Sequence, residues 1–246
     1  VDDPKVTGAY GEWKDYNAYS DFISSEGVPV FYARVDHVSV PLAKEGTGQV
    51  VVDFTPEPLT QDVSFVFHIE KTADVVVDSL TAEISGIPST MELTTGLILA
   101  QKTYKLLFRP TYAALPSAAD SASAEALRCE ASVNIPGIVR SHTEDMVTGP
   151  GILQIAIYTH YDYEEEGTQR KAAKVFHAGI NLYHTLKERK SLQWDEEENG
   201  YRQASRSITV EIGSPLNIDK DGILNGGSTS TGLDQWIPGE TFEIEV

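Results

Sequence analysis

From Val63 to Ile69 every second residue is large and apolar: Val63, Phe65, Phe67 and Ile69. Ser64, Val66 and His68 stand between them and are lighter or more polar. A period of two puts one set on a buried sheet face and the other toward water, a pattern no helix can use. Lys71-Thr72-Ala73-Asp74 breaks the alternation, and Val75-Val76-Val77 opens a second strand. Leu80, Ala82 and Ile84 continue it on one face, with Thr81, Glu83 and Ser85 on the other. Ser85-Gly86-Ile87-Pro88 is expected to stop it, because glycine accepts positive φ and proline cannot donate to a ladder. Two such strands in opposite directions, side by side, expose a wide apolar face that a second sheet must cover. The stretch reads as half of a β-sandwich core.

Further strands are expected at Val28–Ala33, Val35–Val40, Gln49–Phe54, Leu97–Ala100 and Lys102–Phe108, with a hairpin loop at Lys44–Gly48. Residues 113–126, rich in Ala and Ser and without strand period, read as a linker, with a short helix over Ala118–Leu127. The sequence thus divides into an N-terminal β-domain (1–112), the linker, and a C-terminal β-domain (127–246). In the second half, strands are expected at Leu127–Ile135, Ile152–Tyr158, Ala172–Ile180, Ser205–Ile212 and Thr241–Val246. Glu164–Gly167 and the Asn199-Gly200 pair mark hairpin turns. One short helix is expected over Asn181–Lys190, where Leu182, Tyr183 and Leu186 are helically spaced and basic residues face the negative end of the helix dipole. Tyr10, Trp13, Tyr16, Tyr19 and Phe22 recur every third residue, the pattern of a short helix or turn lying on the sandwich.

Charge excludes some partners. Nineteen Lys and Arg stand against 37 Asp and Glu, a net charge of −18. The excess is spread evenly, so it is a solvated surface and not a tail. Such a surface repels phosphate, which argues against nucleic acid and anionic membranes. No run of about 18 apolar residues is present to span a bilayer. The single cysteine, Cys129, rules out an internal disulfide and reads as a small buried hydrophobe.

Chemistry-bearing patterns are sparse. Asn217, Asp219 and Asp221 alternate before Gly222, matching the first half of a calcium loop. Position twelve of that loop is Ser228 where a bidentate Glu belongs, and a β-turn bearing Asp and Gly would produce the same letters. The acidic groups Asp162–Glu166 and Asp195–Glu198 could supply paired carboxylates for glycoside hydrolysis, but beside Gly at hairpin tips they read as solvated loops. The six histidines show no metal spacing, and no Gly-x-Ser-x-Gly elbow or phosphate-binding Gly loop occurs. Nothing here reads as an active site, so no enzyme is expected. Trp13, Tyr16 and Trp236 are the candidates for stacking on a sugar.

The run AEISGIPSTMELTTG (Ala82–Gly96) resembles the strand-turn-strand of fimbrillin-like surface proteins of Bacteroidales bacteria, their anchor and accessory branch in particular. Val28–Leu42, the segment from Val50 onward and the closing GLDQWIPGETFEIEV (Gly232–Val246) are similar to the same template. That resemblance implies an all-β fold of two transthyretin-like, Greek-key sandwich domains. It also implies an exported lipoprotein at the outer-membrane surface, held by a lipid anchor outside this sequence. The function it implies is non-catalytic adhesion through strand-edge contacts, with other fimbrial subunits or surface proteins as partners and no cofactor beyond the candidate calcium. Residues 241–246 are a candidate donor strand. The competing expectation is a carbohydrate-binding β-sandwich of a glycan-uptake system.

Overall fold

A computed structural model describes residues 20–23, 30–33, 35, 37–38, 51–91, 97–115, 124–138, 151–182, 185–186, 189, 192–196, 200–203, 205–224 and 236–244. Its strands run in order β1 (Ser20–Ile23), β2 (Phe31–Tyr32), β3 (Glu57–Pro58), β4 (Gln61–Thr72), β5 (Val75–Met91), β6 (Ile98–Phe108), β7 (Thr111–Ala114) and β8 (Ala124–Ile135). They continue as β9 (Ile152–Glu165), β10 (Thr168–Asn181), β11 (Leu192–Asp195), β12 (Gly200–Gln203), β13 (Ser207–Glu211), β14 (Leu216–Ile218) and β15 (Ile237–Ile244). The larger sheet has the order β11-β12-β6-β5-β9-β10-β15, with β1 beside β6. The smaller has β13-β4-β8-β7, with β14 continuing the β13 edge of β4. β2 and β3 form a separate two-stranded ribbon.

The alternation of β4 folds as its chemistry dictates. Val63, Phe65, Phe67 and Ile69 are fully buried, while Ser64, Val66 and His68 on the other face are half-buried. β4 and β5, however, are not neighbours. β4 pairs with β8, β13 and β14, whereas β5 pairs with β6 and β9. The turn at Ala73–Asp74 carries the chain from one sheet to the other, so the two apolar faces look at each other across the core. Each strand thereby covers its partner in sequence, which burying both faces requires.

Gly86 and Pro88 do not end β5. The strand runs on to Met91, and the ladder slips at Asp78, at Gly86 (φ 92°) and next to Pro88. At Asp78 and Gly86 the slip is a bulge that inserts one residue in β5, whereas next to Pro88 the extra residues lie on β6, where 100–102 face Ser89 alone. The first explains why the inward residues change parity, from Val75 and Val77 to Leu80, Ala82 and Ile84. Pairing with β9 ends at Ile84, so the N–H that Pro88 lacks is not missed on that side. The two short strands expected at 97–100 and 102–108 are one, β6. Phe22 lies in β1, parallel to β6, and not on a helical stripe. Residues 51–56 are not in a strand.

The segment 113–126 does not appear as a boundary. Ala113 and Ala114 belong to β7, residues 124–126 belong to β8, and these two strands pair. Strands from before and after the segment alternate in both sheets, and one buried apolar cluster reaches from Val63 to Trp236. Ala113 and Ala114 suit the exposed strand β7, whose four side chains all face water. The expected helix over 118–127 is strand from residue 124 onward, and 118–123 lie outside the described residues. The helical turn after β10 is present: residues 185, 186 and 189 are helical, Leu186 N–H donates to the Leu182 carbonyl at 2.9 Å, and both leucines are buried.

Candidate functional site

The calcium candidate is built as a turn. Asn217 lies in β14, and the Asp219 carboxylate accepts the N–H groups of Asp221 (2.7 Å) and Gly222 (2.8 Å). The Asp219 N–H donates to the Gly222 carbonyl, and the Leu224 N–H to that of Asn217. An Asp folding its side chain onto the amides two and three residues on is the ordinary device of such a turn. The buried side chain of Lys174 reaches from β10 and gives its ammonium to the Lys220 carbonyl at 2.8 Å, setting a protein cation against the loop. Among the described residues no three His, Cys, Asp or Glu side chains are grouped to hold a metal ion.

Trp236 is not a stacking surface. It is 4% exposed, meets Phe67 edge-on with ring centres 5.8 Å apart, and donates its Nε1–H to the Ser214 carbonyl at 2.9 Å. A large ring with one polar handle gains most by burying the ring and satisfying the handle. Trp13 and Tyr16 lie outside the described residues. The acidic tip at 162–166 is exposed, at the end of the β9–β10 hairpin, where Glu165 pairs with Arg170 at 2.9 Å. Glu166 (φ 51°) and Gly167 (φ 77°) form its two-residue turn, the primed type that matches strand twist. Asp195 ends β11, and Glu196 is exposed. Cys129 is fully buried, and burial pushes its thiol up to about 12, leaving it protonated and unreactive.

The largest concentration of buried polar groups is one the sequence does not announce. It lies on the face of the larger sheet turned away from the core. Glu83 on β5 is the direct partner of Gln154 on β9, which faces Gly179 on β10. Lys105 on β6 sits beside Ser85, one step along the same face, and His177 and Asn181 flank Gly179 on β10. All six polar side chains are buried. Lys105 Nζ meets Glu83 Oε1 at 2.6 Å, with the side chains 4% and 6% exposed. Burial raises the Glu83 carboxyl above its usual range and lowers the Lys105 ammonium below its own. In each case the partner's opposite charge offsets part of the desolvation. The Ser85 hydroxyl accepts the Ile152 N–H at 2.9 Å, whereas Gln154 Nε2 has no partner among the described residues. Among the described residues this is one carboxylate paired with one ammonium. It is not the pair of facing acids that glycoside hydrolysis needs.

A different kind of opening lies at the margin of the smaller sheet. β7 is paired with β8 over residues 127–130 only, although β8 runs to Ile135. The Ala126 carbonyl accepts the Leu115 N–H, and the Glu130 carbonyl accepts the Thr111 hydroxyl, so even-numbered residues of β8 direct their backbone groups to this side. Ser132 and Asn134 come next in that series, and among the described residues no strand pairs with them there. Their side chains lie on the polar outward face, where Asn134 Nδ2 donates to Asp62 at 2.7 Å and the Ser64 and Ser132 hydroxyls meet at 3.4 Å.

Fold and site together define an all-β protein of sandwich type, with a margin of β8 at Ser132 and Asn134 beside which no strand pairs among the described residues. Comparison with family models, curated proteins and solved structures finds no match to this chain.

Proposed function

We propose that this chain is a non-catalytic surface protein of the fimbrillin-like kind, a transthyretin-like, Greek-key sandwich serving as an anchor or accessory subunit. Its working part is a sheet edge that accepts an extended segment of a neighbouring fimbrial or surface protein. The observation that carries this reading is the margin of β8 at Ser132 and Asn134, beside which no strand pairs among the described residues. Main-chain groups at such an edge supply affinity, and alternate side chains of the incoming segment supply selectivity. The acidic surface suits an exported protein that must stay soluble until it is docked. The terminal segment serves less well as a donor, because residues 173–176 of β10 already hold Thr241–Ile244 in their own sheet.

Ser132→Pro tests it. The substitution removes an N–H that faces the open side and leaves the β4–β8 ladder its bonds. The expected outcome is that wild-type protein is cleaved by protease on intact cells and co-purifies with sheared surface filaments. The variant, melting within a few degrees of wild type, should lose that association. A protein found inside the cell, or a folded variant that still co-purifies, overturns the reading.

A further inference from the structure

Of the five strands of the smaller sheet, β7 alone has no buried residue: Thr111–Ala114 are all exposed, and so is Leu115 after them. A strand that buries so little apolar surface is held by its backbone bonds and by single side chains, at the low-stability end of a fold. Its ladder to β8 spans four residue pairs, from Thr111 opposite Glu130 to Ala114 opposite Leu127. The Leu115 N–H adds a bond to the Ala126 carbonyl at 2.8 Å. One side chain fastens the strand to the larger sheet: the Tyr112 hydroxyl donates to the Val77 and Asp78 carbonyls of β5. β8 is held quite differently. Every residue from Ala124 to Ile135 is paired with β4 on its other side. β8 therefore keeps its place in the sheet whether or not β7 lies beside it.

We propose that β7 is a displaceable strap over the β8 edge, fastened by the Tyr112 hydroxyl, and that the captured segment takes its place. Such a strap regulates the capture proposed above and rests on that reading. Length is the first reason. Beyond β7, the margin offers the backbone groups of Ser132 and Asn134, too few to hold a strand of ordinary length, about five or six residues. β7 lies on the same side of β8, against Ala126, Arg128 and Glu130. With β7 displaced, alternate residues from Ala126 to Asn134 present their N–H and C=O groups along one continuous edge. Balance is the second reason. An incoming antiparallel strand remakes each ladder bond that β7 gives up, and β7 has no buried side chain to lose in the exchange. What has to be broken without replacement is the Tyr112 tie, so that hydroxyl sets how readily the edge opens.

Amide hydrogen exchange of the intact chain tests it. Residues 111–115 should exchange on the order of a hundredfold faster than the β4 amides of the β4–β8 ladder, through local opening. Tyr112→Phe keeps the ring and removes the fastening. It should speed residues 111–115 about tenfold further while the β4 amides stay as they were. Ala113→Cys with Arg128→Cys places thiols on two exposed, directly paired residues. Cα atoms in such a hydrogen-bonded pair lie about 5.5 Å apart, within reach of a disulfide. Oxidised, this variant should slow residues 111–115 about tenfold or more and stop co-purification with surface filaments, and reduction should restore both. Exchange of β7 in step with the β4–β8 ladder overturns the proposal. So does a Tyr112→Phe variant that moves both sets of amides alike or neither, or an oxidised variant that still co-purifies. Wild-type protein that never associates with filaments overturns the capture reading alone, and the exchange rates still judge the strap.

Discussion

Glu83 and Lys105 show what burial does to a charge pair. Each ion has left water, and the shifts of both groups toward their neutral forms say that mutual attraction does not fully offset desolvation. Removing one partner and leaving the other should therefore be costly. Lys105→Met or Glu83→Gln alone is expected to destabilise by roughly 3–5 kcal/mol, whereas Glu83→Met with Lys105→Met should be near neutral or stabilising. Chemical denaturation of the three variants checks this. The pH dependence follows in sign. The folded carboxyl titrates above its unfolded value, so Glu83 adds stability below the ordinary carboxylate range and loses it as pH rises through its raised value. Lys105 acts in the opposite sense. Its contribution is present above the ordinary lysine range and is lost as pH falls through its lowered value. Stability curves of wild type and the double variant should differ in both slopes. Neither residue was legible as special, because Glu83 occupies the position in an alternating strand that normally faces water. Its burial is decided by what covers the outward face.

At the scale of elements, bulges and turns set which side chains meet. The slip at Asp78 places its backbone and that of Val77 within reach of the other sheet, and the Tyr112 hydroxyl of β7 donates to both carbonyls at 3.2 and 2.9 Å. The same Asp78 holds His160 Nδ1 at 2.8 Å on the outward side. One inserted residue thus ties the smaller sheet to the larger and aligns an imidazole. Gly151 has a comparable role at the start of β9. Its φ is +87°, and a Cβ placed there would come within 2.7 Å of Leu186 Cδ1. The Gly151 carbonyl accepts the Leu182 N–H at 2.9 Å, so this glycine joins β9 to the helical turn. Gly151→Ala should cost about 1–3 kcal/mol from the left-handed backbone and the crowding together, read as a fall in melting temperature. Alternation located β4 in the sequence, and the acidic stretch ending in Gly located the hairpin turn within Glu164–Gly167. Alternation could not mark the bulges, because an inserted residue looks like noise in a period of two.

At the scale of the whole molecule, the sheets draw on both ends of the chain. β5 lies between β6 and β9, and β4 between β8 and the β13 edge, so neither half of the sequence closes a core alone. Calorimetry of the whole chain should show one cooperative transition, and a fragment of residues 1–112 should lack the dispersed amide spectrum of a folded domain. Two separated transitions would restore the division at 113–126. What the sequence determined by itself was the class of structure: a period of two over Val63–Ile69 and Ser205–Ile212 commits those segments to strands, since only a pleated chain puts every second side chain on one face. What tertiary structure alone decided was partnership. Periodicity tells a strand which face is apolar but not which strand lies beside it, so β4 and β5, adjacent in sequence, could lie in one sheet or face each other across the core. The burial of Trp236, the pairing of Glu83 with Lys105 and the margin of β8 at Ser132 and Asn134 all depend on that choice. They are properties of how strands are stacked, and the same letters in another order of strands would have lost all three.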